Sequence, residues 1–314
     1  MAELHPTPVL ATHGQVRSAP AGTVVVGYDA TPEAAAALVW AADWADRQGC
    51  RLMVACAVDP LLPAVPDLRH GPDVGALRHA VGRVAGRGAE LARRAHEDLD
   101  VRSVGAVGRP SAELVAMSES AELVVVGRRT RREHPTASLG SVSFALSAHA
   151  RCPVVVVQGE RRLGQGGPVV VGVDTSRASL RAVEFAARAA ETAGVGLVIV
   201  SAWSGHEVEP WLAELWDEST PGADLAGEEY DRAAASVAAA EDHVARNHPG
   251  VPTSARTPQG SPPDVLLAEA RDAGLLVVGA RGGGGFVGLM LGSVSRGVLR
   301  QAELPVAVVR SGAI

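Results

Sequence analysis

Lysine is absent from this 314-residue chain, whose 29 basic side chains are all arginine. A P-loop lysine, a Schiff-base lysine and a serine–lysine pair are therefore excluded. Aromatic residues are scarce, at 3 % against 47 % apolar residues overall. Cores built on Ala, Val and Gly suit thin sheets under closely packed helices better than a sandwich filled by large rings. The three cysteines, Cys50, Cys56 and Cys152, have no CxxC spacing. They suggest neither zinc nor a disulfide framework, and the simplest expectation is a reducing cytoplasm. No run of about 18 apolar residues occurs. Residues 1–21 are polar, contain Pro6, Pro8, Gly14 and Pro20, and read as a flexible tail rather than a signal peptide or membrane span. The net charge is −6, and no basic stripe follows any predicted helix, which removes duplex nucleic acid as an expected partner.

What the sequence does contain is a long internal repeat. Val24-Val25-Val26-Gly27-Tyr28-Asp29 returns as Val169-Val170-Val171-Gly172-Val173-Asp174, an offset of 145. Leu139-Gly140-Ser141-Val142-Ser143 returns as Leu291-Gly292-Ser293-Val294-Ser295, and Cys152-Pro153-Val154 as Leu304-Pro305-Val306, an offset of 152. One change of offset between the anchors means one insertion in a duplicated unit. The polar, Gly- and Arg-rich stretch between the copies reads as a linker over 159–167, with domains over 22–158 and 168–314. Each copy alternates short Val-rich strands with helices, the pattern of right-handed parallel crossovers. Thr31 and Pro32 open the first helix, Leu38, Ala41, Ala42 and Ala45 share one face, and Gly49 ends it. Its counterpart runs from Ser176 to Gly194. Before the second helices lie two long irregular stretches, Asp59 to Asp73 and Trp203 to Gly227, the latter carrying Trp203, Trp211 and Trp216; these are candidate lids.

In an open parallel sheet ligands sit beyond the carboxyl ends of the strands, which here are marked by glycines. Copy two has Gly279-Ala280-Arg281-Gly282, nine further residues, then Gly292-Ser293-Val294-Ser295 opening a helix. Glycines let backbone amides approach an anion, and a helix start offers unpaired N–H groups and a positive dipole end. The plain structural alternative is that Ser293 caps the helix and the glycines only give flexibility. Arg281 either contacts phosphate or is solvated. Copy one keeps Gly127, Gly140, Ser141 and Ser143, but Thr130 replaces the second glycine, and Arg128, Arg129, Arg131 and Arg132 crowd the loop, as phosphate contacts or as a solvated charged segment. Asp29 and Asp174 end the first strands, placed either to accept from a ribose hydroxyl or hold a metal, or to form an Asx-turn. None of the ten histidines makes a metal-binding spacing, and His134, His149 and His206 read as surface or loop residues. No nucleophile elbow has an evident base.

The V-x-V-G-x-D start, the G-x2-G-x9-G-S loop followed by Val-Ser, and the L-P-V-x-V-V last strand resemble the universal stress protein family in its tandem two-domain form. The resemblance covers nearly the whole chain, completely in copy two and partially in copy one. It implies an α/β fold of two tandem, doubly wound, five-stranded parallel sheets, each of strand order 3-2-1-4-5 as in adenine nucleotide alpha hydrolases, with ATP as ligand, alone or with Mg2+. Carried over by position, Asp174 meets ribose, Ala202 lies against adenine, and Gly279, Gly282, Gly292, Ser293, Val294 and Ser295 surround ribose and phosphates. Asp29, Ala57, Gly127, Gly140, Ser141 and Ser143 form a second candidate nucleotide site. Asp174 or Asp29 is the candidate Mg2+ ligand. Dimerisation through the last strands implies that Val154–Val157 and Val306–Val309 pair within the chain or between two chains. The expected function is an ATP-binding stress-response or signalling module with no catalytic residue assigned. Its rivals are a slow ATPase using Asp174, Ser293 and Arg281, and a nucleotide-independent dimerisation protein that holds a protein partner through its Trp-bearing loop.

Overall fold

Runs of Val with no polar alternation have two apolar faces to bury, and only a parallel sheet covered by helices on both sides satisfies them. The computed structural model of the chain describes residues 19–61, 73–128, 140–159, 161, 162, 164–205, 225–282 and 291–311. They fall into two compact units that divide between residues 160 and 161. The candidate lids, with Trp211 and Trp216, and the loop holding Arg129, Thr130, Arg131, Arg132 and His134 lie largely or wholly outside the described residues, as does His206.

In unit one the order is β1 (Thr23–Gly27), α1 (Pro32–Gln48), β2 (Arg51–Val58), α2 (Val74–Ala95), β3 (Val101–Val107), α3 (Pro110–Met117), β4 (Leu123–Gly127), α4 (Ser141–His149) and β5 (Val154–Val157). All pairs are parallel and the sheet order is β3-β2-β1-β4-β5. Unit two repeats this with β6 (Val169–Gly172), α5 (Arg177–Ala193), β7 (Leu197–Val200), α6 (Leu225–Asn247), β8 (Thr253–Arg256), α7 (Pro262–Glu269), β9 (Leu275–Gly279), α8 (Ser293–Gln301) and β10 (Val306–Val309). Its order is β8-β7-β6-β9-β10, again parallel. Each is the 3-2-1-4-5 arrangement implied by the resemblance. No helix among the described residues is long and apolar enough to cross a membrane.

The first helices form as their sequences dictate. Thr31 Oγ1 accepts from Ala34 N at 3.3 Å and Ser176 Oγ from Ser179 N at 3.2 Å, satisfying first-turn donors. Gly49 (φ 63°) and Gly194 (φ 68°) take the left-handed conformation that closes each helix. Leu38, Ala41, Ala42 and Ala45 are buried, and so are Trp40 and Trp44, whose rings stack at 5.5 Å. These two rings supply bulk that the small Ala-rich face lacks.

A second duplicated device ties helix two to helix one. At the end of α2, His96 Nδ1 lies 3.0 Å from Asp46 Oδ2 and Nε2 lies 3.1 Å from Asp43 Oδ1, both on α1. Just after α6, at the same place in the repeat, His248 Nδ1 lies 3.0 Å from Glu191 Oε2 and Nε2 lies 3.1 Å from Glu184 Oε1, both on α5. His243 Nε2 reaches the other oxygen of Glu184 at 2.7 Å. The His248 ring faces carboxylates through both nitrogens and is satisfied as imidazolium, which donates twice. Burial works against the His248 charge, but hydrogen bonds to Glu191 and Glu184 outweigh it and hold the ring above the ordinary histidine value. Glu184, although partly desolvated, is held below the ordinary carboxylate range by His243 and His248.

The sign of the pH effect follows. The His248 contribution is complete below the ordinary value of 6.5 and is lost as pH rises through the raised folded value. The Glu184 contribution is present above 4.5 and is lost as pH falls through the lowered folded value. Replacing His248 by Gln is expected to remove a pH-dependent stability difference of about 0.5–1 kcal/mol, the size of a solvent-screened pair. Urea unfolding of wild type and variant between pH 5.5 and roughly 8.5 checks this: the gap should shrink as pH rises, and a pH-independent gap would contradict the imidazolium assignment.

Candidate functional site

At the carboxyl end of the unit-two sheet, a cavity of about 320 Å³ opens between β6, β7 and β9, with α7 and α8 forming part of its wall. This volume lies at the lower end of the range for small-molecule sites. Asp174 follows β6 and is set by two contacts: its N–H donates to Ser179 Oγ at 3.0 Å, and its Oδ1 accepts from Ser176 N at 2.9 Å. The second contact is the Asx-turn. It leaves Oδ2 over the glycine loop, where a Cβ added at Gly282 would come within 2.6 Å of it. The Asx-turn reading of this aspartate is the one its hydrogen bonds display.

The loop after β9 is stitched to the start of α8. Ala280 N donates to Val309 O at 2.7 Å, Gly292 N donates to Ala280 O at 2.8 Å, and Ser295 Oγ lies 3.2 Å from Ala280 O and 3.1 Å from Gly292 O. Gly292, not Ser293, is the N-cap residue, and no side chain caps α8. The plain reading of Ser293 as a cap is thereby corrected: its side chain stands exposed on the first helical residue. Ser293, Val294 and Ser295 line the cavity where α8 begins. The first-turn N–H groups of a helix lack intrahelical acceptors, and together with the dipole they favour an anion there.

Asp174 and Ala202 at the strand ends line this one cavity, as do Gly279, Arg281 and Gly282 of the loop and Gly292 through Ser295 of the helix start. Reasoning from the sequence missed Ser179, Ser201 and Leu266, which also line it. Ser201 immediately follows β7 and was accessible from the strand-end rule. Leu266 was not, because it enters from α7, whose placement depends on crossover packing; a Cβ on Gly172 would lie 2.7 Å from its side chain.

In unit one the matching residues hold the matching places. Asp29 follows β1, Ala57 lies in β2, Gly127 ends β4, and Gly140 is the N-cap of α4, again without a side-chain cap. Ser141 is exposed, and Ser143 is buried with its Oγ 3.5 Å from Gly140 O. Arg128 turns from the loop to donate to Gln158 Oε1. Among the described residues no group of three or more His, Cys, Asp or Glu is arranged to hold a metal ion. His149 is exposed. Trp203 faces inward: its Nε1 donates to Thr257 O at 3.1 Å, and its ring meets Tyr230 edge-on at 5.7 Å.

The universal stress protein family model matches residues 21–158 and again 167–310. The chain belongs to the universal stress protein family. A universal stress protein of Mycobacterium tuberculosis is 34 % identical over 294 residues, covering 91 % of this chain and 96 % of its own length. Among solved structures, a universal stress protein from Archaeoglobus fulgidus shares the fold at 20 % identity and a TM-score of 0.66, covering 93 % of this chain and 99 % of its own. A shorter universal stress protein solved in complex with cAMP is 30 % identical, covers 46 % of this chain and 97 % of its own, and has a TM-score of 0.33.

The two serines of this universal stress protein motif should behave differently on mutation. Ser295→Ala removes a buried hydroxyl that joins β9 to α8 and should cost about 1–2 kcal/mol. Ser293→Ala removes an exposed hydroxyl that caps nothing and should stay within about 0.5 kcal/mol of wild type. Chemical denaturation of both variants without ligand measures the contrast, and equal losses would contradict the capping assignment.

Proposed function

We propose that this universal stress protein binds an adenine nucleotide, ATP, in the crevice of unit two, and that occupancy alters the surface around the crevice read by a partner in stress response. The observation that supports this most directly is the convergence of Asp174, Ala202, the glycine loop and the uncapped start of α8 on one cavity. The donor set suits the ligand. First-turn N–H groups and the Ser293 hydroxyl offer donors to phosphate oxygens, and Arg281 supplies a cation at the same loop. Asp174 Oδ2 is an acceptor for ribose hydroxyls. Ala202, small and partly exposed beside β7, leaves room for a flat base.

Glycine is required where backbone and ligand approach closely. A Cβ at 282 would strike Asp174, and one at 292 would sit 3.4 Å from Ala280 O, already at contact. Mg2+ would enter with the phosphates, with Asp174 as the nearby carboxylate, and would supply charge neutralisation there. The reading is one of binding and signalling rather than turnover. The chain has no lysine to meet transition-state charge, and among the described residues lining the cavity Asp174 is the one carboxylate or histidine.

ATP titration by calorimetry, together with quantification of nucleotide released from denatured protein purified without added nucleotide, tests the proposal. Asp174→Ala is expected to weaken binding about ten- to a hundredfold, as for loss of one charge-assisted hydrogen bond of about 1.5–3 kcal/mol. Gly292→Trp should abolish it by filling the approach to α8. Absence of both co-purified nucleotide and ATP uptake by the wild type would overturn the reading.

A further inference from the structure

The second helices of the two units stand at the same place in the repeat and carry opposite charge. α2 (Val74–Ala95) holds five arginines, Arg78, Arg83, Arg87, Arg93 and Arg94, against one acid, Glu90. α6 (Leu225–Asn247) holds Glu228, Glu229, Asp231, Glu241 and Asp242 against two arginines, Arg232 and Arg246. By the offset that relates His248 to His96, Arg83 and Arg87 correspond to Ala235 and Ala239. A basic stripe, expected on no helix from the sequence, is thus present on α2: Arg83, Arg87 and Arg94 share one helical face and all three are exposed.

The charges on these faces have not been used within the chain. Among the described residues the side chains of Arg83, Arg87 and Arg94 make no hydrogen bond or ion pair, unlike Arg93, which donates to Val101 O at 2.6 Å. The carboxylates of Asp231 and Asp242 are likewise without partners there, and both residues are exposed. Arg232 and Arg246 do not neutralise them by pairing; they turn onto their own helix and donate to the carbonyls of Glu228 and Asp242 at 3.1 and 3.0 Å.

The spacing matches as well. Arg83 and Arg94 are eleven residues apart, and so are Asp231 and Asp242. Eleven residues make about three turns and about 16 Å of helix, so each pair projects from one face at one separation. Laid antiparallel, α6 of a second chain sets Asp242 against Arg83 and Asp231 against Arg94. Arg87 and Glu90 then lie over Ala238 and Ala235, both small and exposed, so no like charges meet between the two pairs. Both faces are open to solvent in the single chain, and the partner that suits them is another copy. A polyanion such as duplex nucleic acid fits less well, because Glu90 stands in the arginine row and the chain carries a net charge of −6.

We infer that α2 of one copy docks against α6 of another, with Arg83 and Arg94 facing Asp242 and Asp231. Exposed ion pairs are individually weak and screened by salt, so the contact is a transient, salt-sensitive self-association. It uses neither the residues that line the crevice nor the last strands, and so stands apart from the nucleotide reading.

Sedimentation velocity of the full chain over a range of concentrations, at about 0.02 M and about 0.5 M salt, tests this. Self-association is expected at low salt and should be about tenfold or more weaker at high salt. Two double variants, Arg83→Glu with Arg94→Glu and Asp231→Arg with Asp242→Arg, should each lose the low-salt species while still melting cooperatively. An equimolar mixture of the two should associate again, because each offers the charge that the other lacks. A wild type without salt-dependent association, double variants that associate as it does, or a mixture that stays dissociated would overturn the inference. Retention of labelled duplex DNA by a wild type that does not self-associate would assign the arginine face to a polyanion instead.

Discussion

The carbonyl of Ala280 holds the unit-two site together. It faces both Gly292 N, at 2.8 Å, and the buried Ser295 Oγ, at 3.2 Å, so the end of β9 and the start of α8 are fixed to one atom. A helix whose first residues are tied in this way needs no side-chain cap to hold its position. Its first-turn donors can then point to a ligand rather than to its own sequence. The parallel sheet makes the arrangement possible by bringing the ends of β6, β7 and β9 to the same side, and the Val-rich strands, buried on both faces, keep them in register.

Duplication preserved this frame but not its details. Both units have an aspartate after the first strand, a glycine after the fourth and an uncapped helix beyond it. The difference of a methyl group between Thr31 and Ser176 goes with different hydrogen bonding of the two aspartates. A repeat that is nearly exact at the level of strands can thus diverge at the level of single donors.

Much of the fold could be read from the sequence because its signals are local. Strand-end glycines, the Thr31–Pro32 and Ser176 helix starts, and the Gly49 and Gly194 stops all act within a turn of the backbone, and the repeat offset supplied the second unit from the first. That the loop and helix-start residues of unit two share one cavity was legible for the same reason: the spacing from Gly279 to Ser295 joins a strand end to a helix start. Contacts between elements far apart in sequence were not legible. The pairing of His96 with Asp43 and Asp46, and of His248 with Glu184 and Glu191, depends on where the end of helix two lands on helix one. The cap of α8 was not legible either: Ser293 as a cap was an open alternative because Ser is a strong capping type, and nothing local showed that Ser295 would secure the turn.

The histidine pairing also bears on the segment held at the opposite end of α6. There Glu229 accepts from Ser204 N at 3.2 Å and Gly205 N at 3.0 Å, two and three residues beyond Ala202. At a rise of about 1.5 Å per residue, Glu229 and His248 stand roughly 28 Å apart along one rod. The helix is a strut braced at both ends, by a glutamate that holds the backbone after Trp203 and by a histidine held between carboxylates of helix one. The backbone two and three residues beyond Ala202 is thus tied to the same helix whose far end His248 fastens to helix one.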